Sequence, residues 1–144
     1  MKTLYTGHAT TIAGRGGHTE TDDKKIVADL SPPGSNGPGT NPEQLFACGY
    51  SACFGSAVDA VAKKEKAGVT EVKITAAVTL HQDDEGGYFL SVVLDAALQG
   101  VDQSTAEHIV SKAHHVCPYS KATRGNIEVT LKANGKDVNV AKAA

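Results

Sequence analysis

The chain has no tryptophan, and its aromatic content is four tyrosines and three phenylalanines. A core built from it must rest on Val, Ile, Leu and Ala, which makes it thin enough that a partner subunit would usefully complete it. Cysteine is as scarce. The three thiols, Cys48, Cys53 and Cys117, include no C-x-x-C pair. An odd and small number argues against a structural disulfide framework, so any disulfide is expected to be transient and chemical. Charge of one sign is also missing: the formal net charge is −2, with acids and bases interspersed. No basic patch with interleaved aromatics exists, and no nucleic-acid partner is expected. No stretch approaches the roughly 18 apolar residues that cross a bilayer, and the N-terminus lacks the apolar region of a signal peptide. The expectation is a cytoplasmic protein with no membrane partner.

What is present fits one globular domain over residues 1–144, with hydrophobic residues at 40% and charged residues at 21%. Thr3 to Ala13 reads as a strand, Gly14-Arg15-Gly16-Gly17 as a turn, and His18 to Leu30 as a second strand. The Pro- and Gly-rich segment from Ser31 to Thr40 must be a surface loop, placed where a lid could sit. A helix follows, with Asn41 as its N-cap, Pro42 at its first position and Gln44 completing a box. Apolar residues run nearly all round it from Leu45 to Val61, so it is expected to be buried rather than amphipathic. Val69 to His81 and Tyr88 to Leu98 read as a hairpin across Asp83–Gly87. A second helix opens at a Ser104–Glu107 capping box, carries Ile109, Val110, Ala113 and Cys117 on one stripe, and is stopped by Pro118. A strand from Asn126 to Ala133, a short segment at Val138–Val140 and an alanine-rich frayed tail close the chain. Strands interrupted by two helices indicate an α+β fold.

The chemistry-bearing residues are ambiguous one at a time. Cys53 lies mid-helix, where a free cysteine is often a core filler whose burial raises its pKa. A nucleophilic Cys53 therefore needs a cation nearby. At about 4 Å and an effective dielectric near 20, such a charge contributes on the order of 4 kcal/mol, or roughly three pKa units before desolvation. Arg15 is the candidate, though an arginine on a hairpin tip is as readily a solvated surface charge. Glu43, in the first helical turn, answers the helix dipole whatever else it does. Cys117 ends an apolar stripe and is either core or a second reactive thiol.

Taken together, certain words are more specific. Asn41-Pro42-Glu43-Gln44-Leu45-Phe46-Ala47, Ala52-Cys53-Phe54, Cys117-Pro118-Tyr119-Ser120 and Thr123-Arg124-Gly125-Asn126-Ile127 resemble the organic hydroperoxide resistance (Ohr) proteins of the OsmC/Ohr superfamily. The resemblance covers essentially the whole chain. It implies an OsmC/Ohr-like α+β fold, with antiparallel strands packed around buried helices in an intertwined homodimer. It implies a thiol peroxidase acting on organic hydroperoxides, with Cys53 peroxidatic and Cys117 resolving. Arg15 matches the family's activating arginine and Glu43 its carboxylate partner, holding the guanidinium as a bidentate pair. No metal, haem or flavin is implied. The reductant is a dithiol of the dihydrolipoamide type, free or carried on a lipoylated protein.

Helix geometry adds one inference. Ten residues of continuous helix place Glu43 and Cys53 about 15 Å apart, so one guanidinium cannot readily reach both within a chain. The expectation is a site that joins Cys53 of one subunit to Arg15 and Glu43 of the other. Cys48 stands where the family wording has alanine. It lies about 9 Å from Cys53 between Cα atoms, beyond disulfide reach, and is expected to be a packing residue. Phe46, Tyr50 and Phe54 are candidate pocket walls, with core packing as their alternative. His114 and His115 are expected to serve a helix C-terminus rather than zinc.

Overall fold

The computed structural model describes residues 1–140; the alanine-rich tail beyond them lies outside the described residues. The order of elements is β1 (Ala9–Ile12), a 3-10 turn (Gly14–Gly16), β2 (His18–Thr21), β3 (Val27–Asp29), α1 (Pro42–Lys64), β4 (Glu71–Gln82), β5 (Tyr88–Gln99), α2 (Gln103–Val116), α3 (Pro118–Thr123), β6 (Val129–Ala133) and β7 (Lys136–Asp137). The fold is α+β, and it divides into two compact units, Met1–Leu45 and Phe46 onward.

The first unit is an antiparallel meander β1-β2-β3. The segment His18–Leu30 is not one strand. It turns at Asp22–Ile26, where Lys24 takes φ 61 and the Thr21 amide bonds the Ile26 carbonyl at 2.9 Å. Polar Asp22, Asp23 and Lys25 favour this reversal. The Pro/Gly loop is tied at its neck by Ser31 N–H to Thr40 O at 2.8 Å and Thr40 N–H to Asp29 O at 2.9 Å. Asn41 caps α1 as expected, its Oδ1 accepting from the Gln44 amide at 2.9 Å.

In the second unit the sheet order is β4-β5-β6-β7. The expectation of antiparallel strands holds for β4-β5 and β6-β7, but β5 and β6 pair in parallel. A parallel pair needs a crossover, and α2 with α3 supplies it. Val92, Leu94, Ala96 and Leu98 of β5 alternate into the core with Leu131 and Ala133 of β6, against Tyr50, Phe54 and Val58 of α1 and Ile109 and Val110 of α2. Each fully buried large side chain contributes about 1.5–3 kcal/mol.

Four helix expectations are corrected. By length and hydropathy α1 would qualify as a membrane span, so the chain does contain such a stretch. Its fully buried Tyr50, Phe54 and Val58 make it a core helix. Nor is it buried all round, because Cys48, Ala52, Ser56 and Ala60 on its other side are exposed. The cap of α2 is Asp102, whose Oδ1 accepts from the Thr105 amide at 2.8 Å, rather than Ser104. Finally, Pro118 does not simply stop a helix. It occupies the first turn of α3, where its missing N–H costs nothing.

Candidate active site

Arg15 is presented by the tight turn between β1 and β2. Gly17 is required there, because a Cβ at that position would lie 1.8 Å from the Ile12 carbonyl oxygen. The guanidinium reaches Glu43 in the first turn of α1 with two parallel hydrogen bonds, Nη1 to Oε2 at 2.9 Å and Nη2 to Oε1 at 2.7 Å. Glu43 is 9% exposed, while the Arg15 side chain is about half exposed. The hydrogen bonds from Arg15 hold the Glu43 carboxyl below its usual range against the opposing effect of burial. Glu43 in turn raises Arg15. The pair is therefore charged throughout the neutral range, a bidentate clasp that orients one cation.

The second unit brings Cys53 and Cys117 together. Cys117 Sγ donates to Cys53 Sγ at 3.5 Å across 64 positions of sequence. Cys117 is fully buried and Cys53 partly so. Burial pushes the Cys53 thiol up, a backbone N–H bond from Tyr119 draws it partly down, and neighbouring Cys117 adds to the rise. Cys117 occupies the elbow between α2 and α3, with extended backbone angles of φ −64 and ψ 124. Its amide still bonds the Ala113 carbonyl at 2.9 Å, and its own carbonyl accepts from the Lys121 amide at 3.0 Å. The thiol is thus held at a joint satisfied on both sides.

The second unit also holds a mainly apolar cavity of about 650 Å³, lined among others by Phe46, Tyr88, Phe89, Tyr119 and Ile127 and by neither thiol of the pair. Tyr119 links the two features, since its ring lines the cavity and its backbone N–H draws the Cys53 thiol down. The ring packs 6.1 Å from Phe46 and 5.7 Å from Tyr50, centroid to centroid. It lies over Gly49, where a Cβ would come within 2.9 Å of its hydroxyl. A second groove of about 610 Å³ runs between α1 and β4, along Ser51, Ala52, Gly55 and Ile74.

Several expectations change here. Phe46 does line the cavity, whereas Tyr50 and Phe54 are fully buried core residues. Cys48 is exposed rather than packed. His114 is buried, and its pKa falls to about 4 through burial and the charges of Arg124 and His115. It is neutral at physiological pH and cannot complement a helix dipole. Arg124 does so instead, its Nη2 donating to the His114 carbonyl at 2.7 Å. Sequence reasoning passed over Tyr119 and Ser120 as individuals, although both stand within the Cys-Pro-Tyr-Ser word.

Residues 34–132 match the OsmC-like protein family. The chain is 50% identical over 135 residues to an organic hydroperoxide resistance protein of Xanthomonas axonopodis pv. citri (strain 306), covering 90% of this chain and 94% of that one. It is 44% identical over 140 residues to an organic hydroperoxide resistance protein-like chain of Staphylococcus aureus (strain USA300), covering 95% and 100%. Among solved structures, an organic hydroperoxide resistance protein of Legionella pneumophila superposes with a TM-score of 0.87 at 47% identity, over 92% of this chain and 98% of that one. The organic hydroperoxide resistance protein OhrB of Bacillus subtilis does so at 0.86 and 41%, over 91% and 99%.

Proposed function

Since the chain belongs to the OsmC-like family, on its organic hydroperoxide resistance branch, we propose that it is a cysteine peroxidase that reduces organic hydroperoxides to alcohols. The observation that carries this reading is the 3.5 Å approach of Cys53 and Cys117. The Cys53 thiolate attacks the terminal peroxide oxygen, the O–O bond breaks, and the leaving alkoxide takes a proton to become the alcohol. Cys53 is left as a sulfenic acid. Cys117 then attacks that sulfur and the hydroxyl leaves as water, which closes a Cys53–Cys117 disulfide. A dithiol of the dihydrolipoamide type, free or on a lipoylated protein, restores both thiols by exchange. Free thiols on resting enzyme suit the cytoplasm. The chemistry needs no bound cofactor.

Attack requires a thiolate, and burial works against one at Cys53. We assign the missing charge to Arg15, delivered by the second subunit of a homodimer. Glu43 and Cys53 lie on one unbroken helix, Pro42–Lys64, and their ten-position separation spans about 15 Å. Glu43 keeps Arg15 aimed, and the arginine stabilises both the thiolate and the charge developing on the peroxide. The apolar cavity beside Tyr119 accommodates the organic part of a bulky or fatty-acid hydroperoxide.

The test is a peptide map of reduced protein after one equivalent of cumene hydroperoxide. The expected product has lost two hydrogens and carries a Cys53–Cys117 crosslink. Unmodified thiols, or oxidation confined to Cys48, would remove the peroxidase reading.

A further inference from the structure

Tyr50 is fully buried, and a buried phenol must find partners for its hydroxyl. It has two, Ser120 Oγ at 2.9 Å and Thr123 Oγ1 at 3.1 Å. Thr123 Oγ1 also donates to the Ser120 carbonyl at 3.2 Å. Ser120 and Thr123 are themselves buried polar residues, at 0% and 6% exposure. Both belong to α3, the six-residue helix that Cys117 caps. Tyr50 belongs to α1, one turn before Cys53. The hydroxyl cluster therefore joins the helix that carries one thiol to the helix that begins at the other. Apart from the Tyr119 ring, which packs on Phe46 and Tyr50, a helix of this length has little apolar surface, so the directional bonds add the constraint that packing alone leaves loose. Its far end is held as well, by the bond from Arg124 to the last turn of α2.

We propose that the Tyr50 hydroxyl is a positioning group for disulfide closure, keeping α3 seated on α1 so that Cys117 stays in line with Cys53. The inference rests on the peroxidatic and resolving roles given above. Closure from 3.5 Å to a bond of about 2.05 Å is a small movement along a defined direction. The Cys117 sulfur bonds the Cys53 sulfur, the S–O bond breaks, and the hydroxyl departs with the Cys117 proton as water. The competing fate of the sulfenic acid is attack on a second organic hydroperoxide, which yields Cys53 sulfinic acid and an alcohol. Misplacing Cys117 slows the first fate and leaves the second free to proceed.

Tyr50→Phe removes one oxygen and keeps the ring. Reduced wild type and variant, treated with excess cumene hydroperoxide and quenched, are compared by peptide mapping for the ratio of Cys53 sulfinic acid to Cys53–Cys117 disulfide. The ratio is expected to rise about tenfold in Tyr50→Phe, the scale of effect that sub-ångström misplacement produces. It should rise less in Ser120→Ala, which keeps the Thr123 bond. A wild-type ratio in Tyr50→Phe overturns the proposal; if that variant does not fold, a wild-type ratio in Ser120→Ala does so. Lower stability alone shifts the melting temperature without changing how one sulfenic acid divides between two fates. Wild-type protein that never forms the crosslink would instead overturn the peroxidase reading, and this inference with it.

Discussion

At the scale of single residues, the partly buried Cys53 and the buried His114 depart from their ordinary ionisation in ways their types do not announce. Cys53 is raised by burial, so the peroxidatic role proposed for it requires a charge brought to it. His114 is lowered to about 4, and that carries a consequence for stability. Between pH 6.5 and 4 the unfolded chain takes up a proton at His114 that the native protein refuses, so stability falls as pH falls through this window. At pH 5 the loss is on the order of 2 kcal/mol relative to pH 8. Urea unfolding at the two pH values should show it in wild type and not in His114→Phe; equal pH dependence in both would refute the assignment. The histidine was visible in the sequence, but its neutrality was not. Spacing put it near a helix end, whereas packing buried it beside Arg124 and His115.

Elements carry the next level of specificity. The α1 N-cap at Asn41 was legible because capping is local: three residues of sequence decide whether Oδ1 meets an amide. The α2 cap lies two residues before the Ser104 that the sequence pattern favours, since Ser104 and Asp102 are both competent caps and the backbone uses the aspartate. In sequence the α2–α3 elbow shows only a stop, because Pro118 ends one helix and suits the first turn of another equally well. Gly49 shows the cost of close packing between elements. Gly49→Ala gains roughly 1 kcal/mol of helix propensity, but its Cβ displaces the Tyr119 ring, whose hydroxyl would be 2.9 Å away. Stability should stay within about 1 kcal/mol of wild type, while KM for cumene hydroperoxide rises roughly tenfold as the cavity wall moves. Steady-state kinetics and a denaturation curve on one preparation check both halves, and an unchanged KM would separate this cavity from the substrate.

At the scale of the whole molecule the proposed activation of Cys53 by Arg15 turns on which chain brings the arginine. Mixing Cys53→Ser with Arg15→Ala subunits distinguishes the two arrangements, because each variant lacks a different half of the site. If the site is shared across a dimer, random exchange makes half the dimers hybrid, each with one intact site. Activity should then recover to about a quarter of the wild-type level. No recovery after verified subunit exchange would place Arg15 and Cys53 in the same chain's site.

The sequence by itself determined the family and the α+β class, because contiguous words and local signals carry them, while the pairings of Cys53 with Cys117 and of Arg15 with Glu43 followed only from the resemblance. Loop chemistry, caps and β5 alternation are short-range properties of the chain. Tertiary structure alone decided the parallel β5–β6 pairing, the exposure of Cys48, the buried neutrality of His114 and the hydroxyl cluster around Tyr50. Those features depend on residues that meet across long separations, such as the 70 positions between Tyr50 and Ser120. Solvation and partner identity there are set by packing that no local pattern encodes.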